Sequence, residues 1–443
     1  MYNQEFKFIF DYAKDKTDDI EILLNAGTSF STKINEQEIE SFNYSEAKGL
    51  SVKVILGGKA GYAYTEKFTE EDFKMIVDEA IENAKCSEDD EVVVMENYPD
   101  IDCELKLYNA ELDKVSVERK IQLAKDLEKY AKAADRRVFN VPYAVFSDSK
   151  GYVKIANSKG LNKEENQNYA FAFVGALSQE KEEKRGGFEF EVSKDFAKFD
   201  AKKMAETSVK RSTDLLGGEP VESGSYPIVF NEDTMATMLA TFTSIFYADA
   251  VQEGRSMLAG KMGQKIANNK VTITDDALHP EGSSTRKFDS EGYPSQTTIL
   301  IDKGILKTYL HNTKTARKDG VRSTGHGSRG YKNSLGISST NFILKPGELK
   351  ENELFQQHDK IIEIVSLQGM HSGANTISGD FSLSGEGFLY ENGKRKHSLK
   401  QFTVSGNFLK MLQDVKMIAD NFRFNSSAIG TASVLIKELA ISG

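Results

Sequence analysis

Residues 49–68 read GLSVKVILGGKAGYAYTEKF, and their pattern sets the fold of the first half of the chain. Leu50, Val52, Val54 and Leu56 fall on one face, the two-residue period of a half-buried strand. The glycines of GGKAG supply a turn, and YAYTEKF returns as a second strand. A helix follows. Thr69 stands as its N-cap with Asp72 three residues on, a capping-box variant, and Phe68 and Phe73 occupy the hydrophobic-staple positions. Phe73, Val77, Ala80 and Ala84 then recur on one helical face.

The same alternation continues beyond this unit. A long helix is expected from Ser116 to Ala134, with Val117, Ile121, Ala124, Leu127 and Ala131 as its apolar stripe. Hairpin-like segments follow in YAVFSDSKGYVKIANS, NYAFAFVGALS and GFEFEVS. A helix near Lys202–Leu216 stops at Gly217–Gly218. Near Glu219–Tyr226 the character changes to dense glycine and short strands, among them YPIVF, KVTITD, TTILID, IIEIVSLQG, FSLSGEGFLY, QFTVSG and ASVLIKELAIS. Such strands imply a barrel or curved sheet. The fold class is therefore α+β in two domains. An N-terminal mixed α/β sandwich is expected over 1–220 and a β-rich, barrel-like domain over 221–443.

The chain has 443 residues, room for two domains at roughly 100–200 residues each. A formal net charge of -10 argues against non-specific nucleic-acid binding, which needs a positive field to displace counterions. Two cysteines, Cys86 and Cys103, cannot make a disulfide framework and read as ordinary thiols. The start, MYNQEFKFIFDYAKDK, lacks a signal-peptide core, and no apolar run approaches the ~20 residues of a membrane span. A cytoplasmic location is expected.

Six histidines occur, and none lies four or five residues from another, so no helix can present two imidazoles to one metal. The most suggestive loop is Ser323–Gly330, STGHGSRG. Its glycines admit a ligand close to the backbone, His326 offers acid, base or donor chemistry, and Arg329 can hold a carboxylate. The competing reading is a tight turn whose histidine satisfies a neighbouring carbonyl. Gly369–Gly379, GMHSGANTISG, is a similar small, polar loop that brings His371. His326, Arg329 and His371 are the candidate substrate contacts. There is no G-x-S-x-G elbow.

Taken in order, several motifs resemble the TldD/PmbA family, which is classed with zinc metallopeptidases and carries the older label of DNA gyrase modulator. They are SFNYSEAKGLSVKVILGGKAGYAYTEKFT and VFSDSKGYVKIANSKG in the first domain. In the second they are FDSEG (Phe288–Gly292), DKGILKTYL, STGHG, SGDFSLSGEGFLYENGK and GTASVLIKELAISG. The resemblance spans nearly the whole chain.

It implies one of two branches. TldD-type chains carry His-Glu-x-x-x-His on a helix early in the second domain, completed by a cysteine near the C-terminus. Three ligands then hold zinc, and the glutamate deprotonates water. Here the ligand helix falls on Thr234–Ala248. The first histidine corresponds to Leu239, the glutamate to Ala240, the second histidine to Ser244, and the cysteine to a position at or next to Thr431. The resemblance therefore implies a PmbA/TldE-type subunit, inactive alone and without catalytic residues or metal of its own. Zinc is expected in a TldD-like catalytic partner, with peptides as substrate and a homodimer when the chain is alone. The alternative is a stand-alone hydrolase with a non-standard site near His326.

Overall fold

The structure is a computed structural model that describes residues 2–87 and 95–443. Its first sheet has six antiparallel strands: β1 (Asp19–Asn35), β2 (Glu38–Leu56), β3 (Lys59–Thr65), β4 (Val138–Asn157), β5 (Asn162–Glu180) and β6 (Glu183–Ser193). Their order is β3-β2-β1-β4-β5-β6, so β3 and β6 are the edges. Helices α1 (Asn3–Ala13), α2 (Glu70–Cys86), the single turn α3 (Ala110–Asp113), α4 (Val117–Ala134) and α5 (Ala201–Asp214) complete this half.

The opening motif folds as read. Gly57 and Gly58 turn the chain at φ 58° and 80°, a region costly for side chains with a Cβ. Thr69 caps α2 by accepting the Asp72 N–H at 3.2 Å, and the Phe68 and Phe73 rings meet edge to face at 5.8 Å. The helix lies so close to β3 that a Cβ on Gly61 would sit 1.9 Å from the Ala80 carbonyl oxygen. Ile20, Ile22 and Leu24 of β1 point to α1 and α2, and Phe30 and Ile34 meet α4 and α5. Leu23 and Ile155 point the other way, onto Phe288 of the second half. The middle of the sheet is thus covered on both faces, so Ile20–Leu24 and Leu50–Val54 are buried without alternation.

Three details differ from expectation. YAVFSDSKGYVKIANS is not a hairpin. All but its last residue, Ser158, lies within one continuous strand of 20 residues, β4, because β1 and β5 pair with it on both sides through Asp148–Gly151. β2 begins at Glu38, well before the apolar GLSVKVIL, because β1 pairs with its polar start residue by residue. Val117 is 39% exposed, and the buried stripe of α4 runs through Leu123, Ala124, Leu127 and Ala131.

The second half starts with β7 (Gly224–Phe230), α6 (Glu232–Phe242), a 3-10 turn at Thr243–Phe246 and α7 (Ala248–Gln252). Next come β8 (Ile273–Asp276), β9 (Thr297–Asp302), β10 (Ile305–Leu306), α8 (Thr313–Lys318), β11 (Gly327–Ser328), β12 (Gly336–Ile337), β13 (Phe342–Leu344) and α9 (Glu351–Leu354). The chain ends with β14 (Lys360–Gln368), α10 (Met370–Gly373), β15 (Asp380–Glu391), β16 (Lys394–Ser398), β17 (Phe402–Asn407), α11 (Phe408–Gln413), β18 (Val415–Ile418), β19 (Arg423–Phe424), β20 (Ile429–Thr431) and β21 (Val434–Ser442).

Strands β14, β7, β21, β17 and β15 pair in sequence, and β15 pairs back onto β14, so they close a barrel. A second sheet runs β10-β9-β8-β13-β20-β19, with β19 as an edge. Helix α6 packs between β20 and the barrel strands β7 and β14, and Phe242 at its end stacks on Phe408 of α11 at 4.3 Å. No helix among the described residues is long and apolar enough to cross a membrane.

Candidate functional site

The loop Ser323–Gly330 is held by carboxylates from three directions. His326 is 0% exposed; its Nδ1 meets Thr324 Oγ1 at 2.8 Å and its Nε2 meets Asp275 Oδ1 at 2.9 Å. Asp275 also accepts the Thr340 N–H at 2.8 Å and the Thr340 hydroxyl. Burial alone would raise the Asp275 carboxyl, but the His326 ring and the Thr340 donors outweigh it, and the group lies below its ordinary value. Arg329 turns into the first half and pairs with Glu21 of β1, both side chains being buried. Asp289 accepts the Gly327 N–H at 2.8 Å, and Glu291 accepts the Thr313 N–H at 2.8 Å. Burial pushes both of these carboxyls up, and the Glu291 charge raises Asp289 further.

His326 and Arg329, the candidate substrate contacts, both turn inward in this geometry. Each spends its polar atoms inside the fold, one locking the loop to β8 and the other joining the two halves. His371 differs: it stands exposed on α10 and shares no hydrogen bond with His326 or Arg329. The structure does not gather the three into one site. Sequence alone could not supply Asp275 and Glu21, which lie 51 and 308 residues from their partners.

A wide opening lies elsewhere, between the two edge strands. A cleft of about 600 Å³ is walled by Phe190–Asp195 at the end of β6 and by Phe422–Asn425 around β19. A smaller cavity of about 280 Å³ lies farther back along β6, at Gly186–Phe188, against Asn231 and Asp233 at the start of α6. Between the two, charged side chains cap the open edge of β6. Arg211 donates to the Phe188 carbonyl at 2.9 Å, and Arg423 donates to the Phe190 carbonyl at 3.0 Å. Arg211 also pairs with Asp233 at 2.9 Å and with Glu189 at 3.4 Å, and Glu189 pairs with Arg423. The Arg423 guanidinium lies 4.7 Å from the Phe190 ring centre, and the Phe422 and Phe424 rings meet edge to face at 5.1 Å. Edge strands left open attract other strands. Here only the middle of β6 is blocked, and its end opens into the larger cleft.

The segments that correspond to the zinc site lie beside this cleft. Thr431 is the cross-strand neighbour of Arg423, and α6 packs on both β19 and β20. Leu239 is 1% exposed in the core of the second half, while Ala240 is exposed and Ser244 half-buried. Leucine and alanine offer no donor atom and neutral serine and threonine hydroxyls are poor ones, so these side chains do not fit a zinc ion. Among the described residues no group of three or more His, Cys, Asp or Glu side chains is placed to hold a metal.

A six-stranded antiparallel sheet, a closed barrel and a cleft between sheet edges define a class of protein built like the peptidases of one family. Family profiles for the PmbA/TldA metallopeptidases match the chain in three parts: domain 1 at residues 20–84, the central domain at 110–216 and the C-terminal domain at 223–443. The chain belongs to the TldD/PmbA family. It is 25% identical to a metalloprotease PmbA homolog of Haemophilus influenzae, over 99% of this chain and 96% of that one. It is 25% identical to a metalloprotease of Methanocaldococcus jannaschii, over 93% of this chain and 91% of that one. A crystal structure from Thermotoga maritima, whose name links it to DNA gyrase modulation, superposes with a TM-score of 0.93 at 29% identity over 100% of both chains. TldE of Thermococcus kodakarensis shares the fold, with a TM-score of 0.90 at 21% identity over 99% of this chain and 100% of that one.

Proposed function

We propose that this chain is the PmbA/TldE-type subunit of a cytoplasmic metallopeptidase complex that acts on peptides or small unfolded proteins. In this reading a TldD-like partner carries the zinc and the water-activating glutamate, and this chain helps to hold the substrate. The observation that carries it is the open side of α6. Where the family's catalytic branch has imidazole and carboxylate, α6 offers an exposed Ala240 and the 3-10 turn after it a half-buried Ser244, on a helix that packs on β19 at the cleft's rim. The cleft suits extended chain, because sheet edges bind through backbone groups and tolerate varied sequence. The same surface chemistry admits a homodimer when the partner is absent. A stand-alone site at His326 has no such support, since its ring is sealed in the core.

The test is elemental analysis and casein turnover, first with the purified chain and then with a TldD-type chain added. The expected result is no stoichiometric zinc and no cleavage for the chain alone, with both gained in the complex. About one zinc held per chain after dialysis, together with cleavage by the chain alone, would overturn the assignment.

A further inference from the structure

The side chains of the larger cleft point to a more specific ligand than extended peptide in general. We infer that the cleft takes a peptide by a carboxylate, with Lys194 as the counter-charge. This rests on the peptide-handling reading above and adds the chemistry that the cleft selects.

Lys194 follows directly on the end of β6 in the cleft wall and is half-buried. Its ammonium makes no hydrogen bond or ion pair among the described residues. Burial pushes the amine down, and Glu165, whose charge opposes this, also accepts the Lys287 N–H at 2.7 Å. A cation taken out of water without a partner is unfavourable, and a bound anion removes that cost. Lys106 and Lys198 add further positive charge to the cleft lining, and neither ammonium has a side-chain partner among the described residues. The anion should be singly charged, because Glu191, Asp195 and Glu281 also line the cleft and would repel a phosphate dianion.

The backbone supplies the peptide's register. The carbonyls of Phe188 and Phe190 point away from β5 and are capped by arginines. Val192 has the same orientation, but its outward N–H and C=O have no partner among the described residues. A strand that pairs with Val192 would run its next residues past Lys194, two positions or roughly 7 Å along. A terminal carboxylate, or the side chain of Asp or Glu, then falls within reach of the ammonium. Phe190, Phe422 and Phe424 offer an apolar wall for a neighbouring side chain.

The experiment measures fluorescence anisotropy of the full chain with three labelled peptides. These are Ala-Ala-Phe-Ala-Ala as the free acid, the same peptide as the C-terminal amide, and Ala-Ala-Phe-Glu-Ala as the amide. The free acid should bind about tenfold more tightly than its amide. Lys194→Met should bring the acid down to the level of the amide and leave the amide unchanged, and Lys194→Arg should keep the preference. If the Glu-containing amide matches the free acid, a side-chain carboxylate serves equally; if not, the chain terminus is the source. Either result supports the inference. Equal affinity of acid and plain amide for the wild-type chain overturns it, and that comparison needs no variant to fold. So does an equal loss for both peptides in a Lys194→Met protein of unchanged melting temperature. A chain that joins an active complex but shows no acid preference overturns this inference alone. A chain that prefers the acid but never joins a partner overturns the subunit assignment alone.

Discussion

Glu363 on β14, a half-buried side chain with a shielded carboxyl, shows what desolvation does to pH dependence. Burial, then the charge of Glu351, pushes it up to about 7, above its ordinary value near 4.5. A carboxyl whose folded pKa is raised favours the fold only while it is protonated. Its contribution is full below the unfolded pKa and is lost as pH rises through about 7. Glu363→Gln should therefore melt with the wild type at pH 4 and above it at pH 8, by on the order of 1–3 kcal/mol. Thermal melts across that range check this, and a constant difference would show that the carboxyl titrates normally. His326 makes the opposite case. Removing its ring leaves Asp275 buried without its counter-group, so His326→Ala should cost about 3–5 kcal/mol. Peptide turnover in the assembled complex, measured below the variant's melting range, should then be unchanged. A selective loss of turnover at full stability would restore His326 as a substrate contact.

Elements differ in how much of them the sequence reveals. Helix α2 was legible because cap, staple and stripe all lie within a few residues, and Thr69, Phe68 and Phe73 act as those local rules require. The short glycine-bounded strands such as YPIVF and TTILID were legible for the same reason. The strand through Asp148–Gly151 was not, since its turn-like residues are overruled by partners more than a hundred residues away on β1. The cleft was illegible too. It is made by Phe190 and Phe424, which no spacing connects. A close approach of this kind can be tested at Gly187 of β6, where an added Cβ would meet the Ser208 carbonyl oxygen at 2.3 Å and the Ser212 nitrogen at 2.4 Å. Both are backbone atoms of α5, so no side-chain rotation relieves the clash. Gly187→Ala should lower stability by about 1–3 kcal/mol and displace α5 from the wall of the smaller cavity. An unchanged melting temperature would mean that the helix yields freely.

At the scale of the whole molecule, the two halves are joined by charge as well as by Phe288. Arg329 reaches Glu21 at the centre of the first sheet, and Arg423 reaches Glu189 at its edge. The first pair is sealed from water, so removing one partner should be far worse than removing both. Arg329→Met strands the Glu21 carboxylate and should cost about 3–5 kcal/mol, while adding Glu21→Gln should recover more than half of that loss. Calorimetry of the two single variants and the double variant measures the coupling. If the losses simply add, the pair is not a unit and the halves are held by apolar contact alone. The second pair is predicted to behave differently, because Arg423 sits in the cleft and caps the Phe190 carbonyl. Arg423→Ala should leave stability nearly intact and lengthen the open edge of β6. Uncharged labelled peptides should then bind more tightly, since the Phe190 carbonyl becomes free to pair. If their affinity falls instead, Arg423 is itself a substrate contact, and the edge of β6 reads peptides through its guanidinium rather than through backbone groups.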